Sequence, residues 1–158
     1  MTIDPAELRR VGAHFATGVT VVTAEHGGVT CGLTVNAFMT VSLEPPLVLI
    51  SIGTASRSLG CLETAARFGI SVLGEDQEAI ARVFAGKDDD KLATVPARRG
   101  ATGVPLIDGS IAWLECRTER RTPAGDHILF LAAVEALGVR GGKPLLFYGG
   151  QYARLAHQ

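Results

Sequence analysis

Between residues 111 and 137 two long strand-forming runs are separated by one turn cluster. Ile111 to Arg121 is the first run, Thr122-Pro123-Ala124-Gly125-Asp126 the turn, and His127 to Leu137 the second. A tight turn reverses the chain only between neighbouring antiparallel strands, so this segment commits the C-terminal half to antiparallel sheet. Its apolar residues fall on both parities: Ile111, Trp113 and Leu129 on one, Leu114, Ile128 and Phe130 on the other. One face packs a core and the other calls for cover, which a second subunit would supply. Trp113 reads as core, and Arg120-Arg121 as a solvated hairpin tip.

The rest of the chain fits that commitment. Asp4-Pro5-Ala6-Glu7 is a helix start, with a capping carboxylate, Pro at the first helical position and Glu where a capping box needs it. Leu8, Val11 and Phe15 give that helix one apolar face, and it is expected to end near Thr17-Gly18. Gly18 to Ala24 and Val29 to Phe38 are β-branched runs around the turn His26-Gly27-Gly28. Leu47 to Ile52 is continuously apolar, the pattern of a strand buried on both faces. Ser56 is placed to cap a short helix through Leu59 and Leu62, and Asp76 one through Ala79, Ile80, Val83 and Phe84 that stops at Gly86. Phe68 to Leu73 and Pro144 to Tyr148 add strands, while Lys87 to Gly103 reads as an irregular polar loop. Six or seven strands against three short helices, without βαβ alternation, favour an antiparallel barrel over a doubly wound sheet.

At 158 residues the chain fits one domain, spanning residues 1–158. Its formal net charge of −1 argues against a nucleic-acid partner, which needs an uncompensated basic face. No apolar run reaches the roughly 20 residues that span a bilayer, and MTIDPAELRR lacks a signal-peptide pattern, so a cytoplasmic protein without membrane partners is expected. Cys31, Cys61 and Cys116 are odd in number, far apart and in no CxxC arrangement, so all three are expected as buried reduced thiols. His14, His26, His127 and His157 show no metal-ligand spacing, and no metal site is expected.

Neither usual nucleotide fingerprint, GxGxxG after a strand or GxxxxGK[ST], is present, nor is a GxSxG elbow. Small and hydroxylated residues gather instead around two breaks, Gly32 to Pro46 and Ser51 to Ser58. Ser56-Arg57-Ser58 at a helix start offers amides, hydroxyls and a guanidinium to a phosphate. Read from residues alone, the same segments are also ordinary turns with a capping Ser, and Arg57 an ordinary surface cation.

The order of the segments carries a resemblance. Phe15-Ala16-Thr17-Gly18-Val19-Thr20-Val21-Val22-Thr23 is followed by Gly32-Leu33-Thr34-Val35-Asn36-Ala37-Phe38, Val41-Ser42-Leu43-Glu44-Pro45-Pro46-Leu47-Val48-Leu49 and Phe84-Ala85-Gly86. Gly103-Val104-Pro105-Leu106, Leu114-Glu115-Cys116, Gly125-Asp126-His127, Pro144-Leu145-Leu146 and Gly149-Gly150-Gln151-Tyr152 continue it. In this order the chain resembles the flavin reductase-like family, FMN-binding split barrels that serve as reductase components of two-component flavin-dependent monooxygenases. The resemblance implies a mainly β fold with short flanking helices: an antiparallel, Greek-key-like FMN-binding split β-barrel. It implies FMN, or alternatively FAD, with NADH or NADPH as co-substrate, a homodimer, and a flavin-dependent monooxygenase as partner. The implied activity is NAD(P)H-dependent flavin reduction that supplies reduced flavin to that partner. A non-catalytic flavin-binding or electron-carrier protein of the same fold is the alternative.

By the same resemblance, Thr34, Val35, Asn36 and Ala37 line the isoalloxazine, largely through backbone groups. Ser51, Ile52, Gly53, Ser56, Arg57 and Ser58 meet the ribityl chain and phosphate. Ser42 is the hydroxyl that follows the ring-binding turn, and Phe84, Ala85 and Gly86 complete the cofactor segment. His127 lies near both the flavin ring and the nicotinamide as the catalytic residue, and Tyr152 is an aromatic beside the same pocket. The family usually has an aromatic some residues after its Phe-Ala-Gly; Asp88-Asp89-Asp90-Lys91-Leu92 supplies only Leu92 here.

Overall fold

The computed structural model describes residues 1–156, so His157 lies outside the described residues. In chain order the elements are α1 (Pro5–Gly12), β1 (Thr17–Gly18), β2 (Thr20–His26), β3 (Val29–Val35), β4 (Phe38–Leu43), β5 (Pro46–Gly53) and α2 (Leu59–Thr64). Then follow β6 (Arg67–Val72), α3 (Glu78–Ala85), a 3-10 turn (Lys91–Thr94), β7 (Ala97–Arg99), β8 (Pro105–Ile107), β9 (Ala112–Ala124), β10 (His127–Val139), β11 (Leu145–Tyr148) and β12 (Gln151–Arg154). The fold is mainly antiparallel β with short helices, as the residue pattern predicts. No helix among the described residues is long and apolar enough to cross a membrane.

The expected hairpin is the spine of a seven-stranded sheet ordered β3-β2-β6-β9-β10-β5-β4. Its turn is tighter than the sequence suggests. Ala124 pairs with His127, so only Gly125 and Asp126 lie between the strands, and Gly125 takes the left-handed conformation this reversal requires (φ 62°). β3 also touches β5, so the sheet curls on itself. Val22, Ile50, Ile52, Phe68, Ile70 and Phe130 fill the inside of the curl. Val19, Val21, Leu73, Phe84, Ile107 and Leu145 form a second core, to which α3 and β11 contribute.

Several expectations are corrected. The strand buried on both faces is β2, not β5: Val21 and Val22 serve opposite cores, while β5 buries Val48, Ile50 and Ile52 and leaves Leu47 and Leu49 half-buried. An apolar run does not reveal what lies beyond its second face. Asp4 caps α1 as predicted, accepting from the Ala6 amide at 2.9 Å, but the helix ends at Gly12. Asp76 does not cap α3. Gln77 stands at that position, and its side chain instead accepts from the Gly74 amide and donates to the Asp108 carbonyl. The region from Lys87 to Gly103 contains the 3-10 turn and β7, which pairs with β8.

The largest correction concerns the thiols. Cys31 and Cys61 form a disulfide, with Cα atoms 6.3 Å apart, and both are half-buried. Only Cys116 is a buried free thiol. Sequence spacing hides the bridge because β3 and α2 meet only through the tertiary fold.

Glu115 anchors the β7–β8 connection. The residue is 2% exposed, and its carboxylate accepts from the Ala101 and Thr102 amides, at 2.8 and 2.6 Å, and from the Thr102 hydroxyl at 2.5 Å. Burial pushes its pKa up, but the Thr102 and Ala101 hydrogen bonds and the Arg98 charge outweigh it and hold the carboxyl below its ordinary value. Glu115→Gln should therefore cost about 1.5–3 kcal/mol at neutral pH. Because the folded pKa is depressed, this stabilisation is complete above the unfolded carboxylate value and is lost as pH falls through the folded one. Urea titrations should show the wild-type advantage shrinking in acid; a constant gap across pH contradicts the assignment.

Candidate functional site

Four segments meet around Gly32 in β3. Its carbonyl accepts from the Ser58 hydroxyl at 3.0 Å and from Lys91 Nζ at 3.4 Å. A Cβ at Gly32 would stand 2.6 Å from the Phe84 ring, so glycine is what allows α3 to pack here. Arg57 donates to the Lys87 carbonyl, and Lys91 donates also to the Phe84 carbonyl at 3.3 Å. These contacts frame a cavity of about 630 Å³.

Seven of the residues singled out by the sequence line that one cavity: Thr34, Ser56, Arg57, Ser58, Phe84, Ala85 and Gly86. Their side chains are partly committed. The Thr34 hydroxyl donates to the Ala81 carbonyl at 2.6 Å, and the Ser58 hydroxyl is spent on Gly32. Ser56 Oγ accepts from the Ser58 amide at 3.3 Å. Ser58, rather than Ser56, occupies the N-cap position of α2.

Val35 is a core residue, while Asn36 and Ala37 are exposed at the break between β3 and β4. The Ala37 carbonyl accepts from the Ser51 amide at 3.1 Å, tying that break to β5. Ile52 is buried in the core, and Gly53 ends β5 opposite His127. A Cβ at Gly53 would lie 3.8 Å from His127 Nε2. Thr54 anchors to the hairpin turn, its amide donating to the Asp126 carbonyl at 2.9 Å. His127 thus sits beside the segment that runs on into Ala55 and Ser56 of the cavity.

His127 Nδ1 lies 2.8 Å from Asp126 Oδ1. The hydrogen bond and charge of His127 lower the Asp126 carboxyl below its ordinary value. Asp126 is therefore an ionised acceptor for Nδ1–H, and this fixes the ring with Nε2 toward Gly53.

Besides Val35 to Ala37, Ser51 to Gly53 and His127, two more predicted residues, Ser42 and Tyr152, do not line that cavity. Ser42 pairs with Leu47, near the opposite end of β5 from Gly53, about 20 Å away along the strand. Tyr152 packs edge-on against Phe147, with the Arg82 guanidinium 5.0 Å from its ring centre.

Leu33 and Ala55, which fall within the two segments picked out from the sequence, also line the cavity, as do Lys87 and Lys91, which were not singled out. Lys91 follows three aspartates and so reads as part of a solvated loop. Desolvation lowers its pKa below the ordinary lysine value; Asp88 and Asp89 push it up, and Arg57 pushes it down. A half-buried ammonium and an exposed guanidinium in the same wall equip the cavity for an anion.

Residues 12–156 match the flavin reductase like domain family. The reductase subunit of a flavin-dependent monooxygenase from Mycobacterium tuberculosis is 39% identical over 153 residues, covering 95% of this chain and 82% of that protein. An NADH-dependent flavin reductase from Rhodococcus is 40% identical over 158 residues, covering 97% of this chain and 88% of that protein. The solved structure of the Streptomyces globisporus NADH:FAD oxidoreductase, in complex with NAD and FAD fragments, is similar at a TM-score of 0.92. It is 40% identical, covering 99% of this chain and 97% of that one. A cavity built from the expected segments, in a fold matched nearly end to end, makes this chain a member of the flavin reductase-like family.

Proposed function

We propose that the protein is an NAD(P)H-dependent flavin reductase that takes FMN and passes reduced flavin to a partner monooxygenase. The observation that supports this reading is the gathering of Thr34, Ser56 to Ser58 and Phe84 to Gly86, from three distant segments, into one cavity whose wall also carries Lys91. A volume of about 630 Å³ suits a flavin mononucleotide, and the donor set suits its phosphate. FAD is the alternative ligand, and FMN is favoured because one terminal phosphate matches the Arg57 and Lys91 pair. NADH-supported reduction of added flavin, followed at 340 nm, tests the activity directly.

Flavin, when bound, supplies the hydride-accepting chemistry. Arg57 and Lys91 hold the phosphate end, and Ser58 keeps β3 and α2 in register through Gly32. Asn36 and Ala37 present backbone groups at the β3–β4 break. His127, oriented by Asp126, positions the nicotinamide rather than acting as an obligatory acid.

Exposed apolar side chains favour a homodimer. Leu8, Val11 and Phe15 on and after α1, and Met39, Val41 and Leu43 on β4, are all exposed in the single chain. On the hairpin the exposed large apolar residues are Leu137 and Val139. A second copy is the occupant such faces require. Light scattering at micromolar concentration should give about twice the 16.6 kDa chain mass. A monomer that still binds flavin contradicts the dimer.

FMN should bind more tightly than riboflavin, and Lys91→Gln should remove about 10-fold or more of FMN affinity while leaving riboflavin affinity unchanged. The sign with pH follows from the lowered Lys91 pKa. The ammonium is the binding form, so FMN affinity falls as pH rises through a range below that of an ordinary lysine. Equal affinities for the two flavins in the wild type contradict the phosphate assignment.

His127→Ala should raise KM for NADH and slow hydride transfer by as much as around 100-fold, with FMN affinity little changed. Anaerobic stopped-flow bleaching isolates that step. A wild-type bleaching rate with unchanged NADH dependence would make His127 a residue of the hairpin turn only.

A further inference from the structure

The Cys31–Cys61 disulfide lies in a second cavity, of about 510 Å³, which shares Arg57, Ser58 and Lys91 with the first. Both cysteines line it and are half-buried, so a small or protein dithiol has a route to the sulfurs. Cys116 is different: it is fully buried, and burial pushes its thiol up to about 12, so it takes no part in exchange.

The position of the bridge gives it leverage. Cys31 immediately precedes Gly32, and Cys61 follows Ser58 by one helical turn at the start of α2. The bridge therefore runs parallel to the hydrogen bond from the Ser58 hydroxyl to the Gly32 carbonyl. Both links tie β3 to the segment that carries Arg57. Reduction removes this covalent tie and leaves the Ser58–Gly32 hydrogen bond to hold α2 against β3 at that contact.

We propose that Cys31–Cys61 is a thiol–disulfide exchange site whose redox state sets the affinity of the neighbouring cavity for the phosphate of its flavin. The coupling rests on the flavin reading of that cavity. The reductant is a low-potential dithiol, small or protein-borne. One thiolate attacks a bridge sulfur, the Cys31–Cys61 bond breaks, and a mixed disulfide forms. The second thiol of the reductant then displaces it. Two electrons and two protons pass to the cysteines, and the reductant leaves as its own disulfide. The oxidised bridge fixes Arg57 and Ser58 in place, so the oxidised form binds FMN more tightly. By linkage, bound FMN makes the bridge harder to reduce by the same factor.

The test uses the whole protein, oxidised with oxidised glutathione or reduced with dithiothreitol, without denaturant. Alkylation followed by intact-mass measurement should add no label to the oxidised form and two labels to the reduced form. FMN affinity should fall about 5-fold or more on reduction, with riboflavin affinity unchanged. The Cys31→Ser/Cys61→Ser double variant should bind FMN like reduced wild type and be indifferent to dithiothreitol. Two labels after glutathione oxidation would overturn the exchange site, and equal FMN affinity in the two redox states would overturn the coupling. If the oxidised protein binds FMN no better than riboflavin, the flavin-phosphate reading fails and takes the coupling with it. The label count then still decides the exchange site by itself.

Discussion

Much of the site depends on one backbone position. Gly32 contributes a carbonyl that accepts from Ser58 and Lys91, and an absent side chain whose space the Phe84 ring takes. β3, α2, α3 and the 3-10 turn are thereby referred to a single point. A side chain at that position displaces the Phe84 ring from the second core as well as from the cavity wall. The committed hydroxyls of Thr34 and Ser58 have the same logic: polar groups that could serve a ligand are used to hold the wall.

The sheet supplies the other half of the site. Because β10 lies between β9 and β5, the residue that follows the hairpin turn is delivered opposite Gly53. Asp126 serves twice there. Its carbonyl accepts from the Thr54 amide and its carboxylate orients the His127 ring. The turn therefore sets both where the Ser51 to Ser58 segment begins and how the imidazole faces it.

What was legible in the sequence follows from the range of each interaction. The hairpin, the Asp4 cap and most strand positions are decided by neighbouring residues and were readable. Order along the chain, rather than any single motif, carried the family resemblance and with it Thr34 and Phe84 to Gly86, while Ser56, Arg57 and Ser58 were also readable directly as donors at a helix start. Lys91 was not legible, because its burial depends on Gly32 and Phe84, far away in sequence. The Cys31–Cys61 bridge was hidden for the same reason. Gln77 replaced Asp76 at the start of α3 because its longer amide spans Gly74 and Asp108 together, a geometry that cap preference does not contain. Ser42 and Tyr152 were placed by resemblance alone, and within one chain neither lines the cavity.

The two neighbours of β10 differ greatly in how far along the chain they lie. β9 is reached across Gly125 and Asp126, so the hairpin zips with little loss of loop entropy. β5 is about half the chain away, and its pairing waits on a large closure. The hairpin therefore forms early and β5 docks late. Until it does, β10 presents an unpaired edge that includes Leu129, Leu131 and Ala133, the kind of edge on which chains join wrongly. The strand that seats His127 is thus also an edge open to misassembly until β5 covers it.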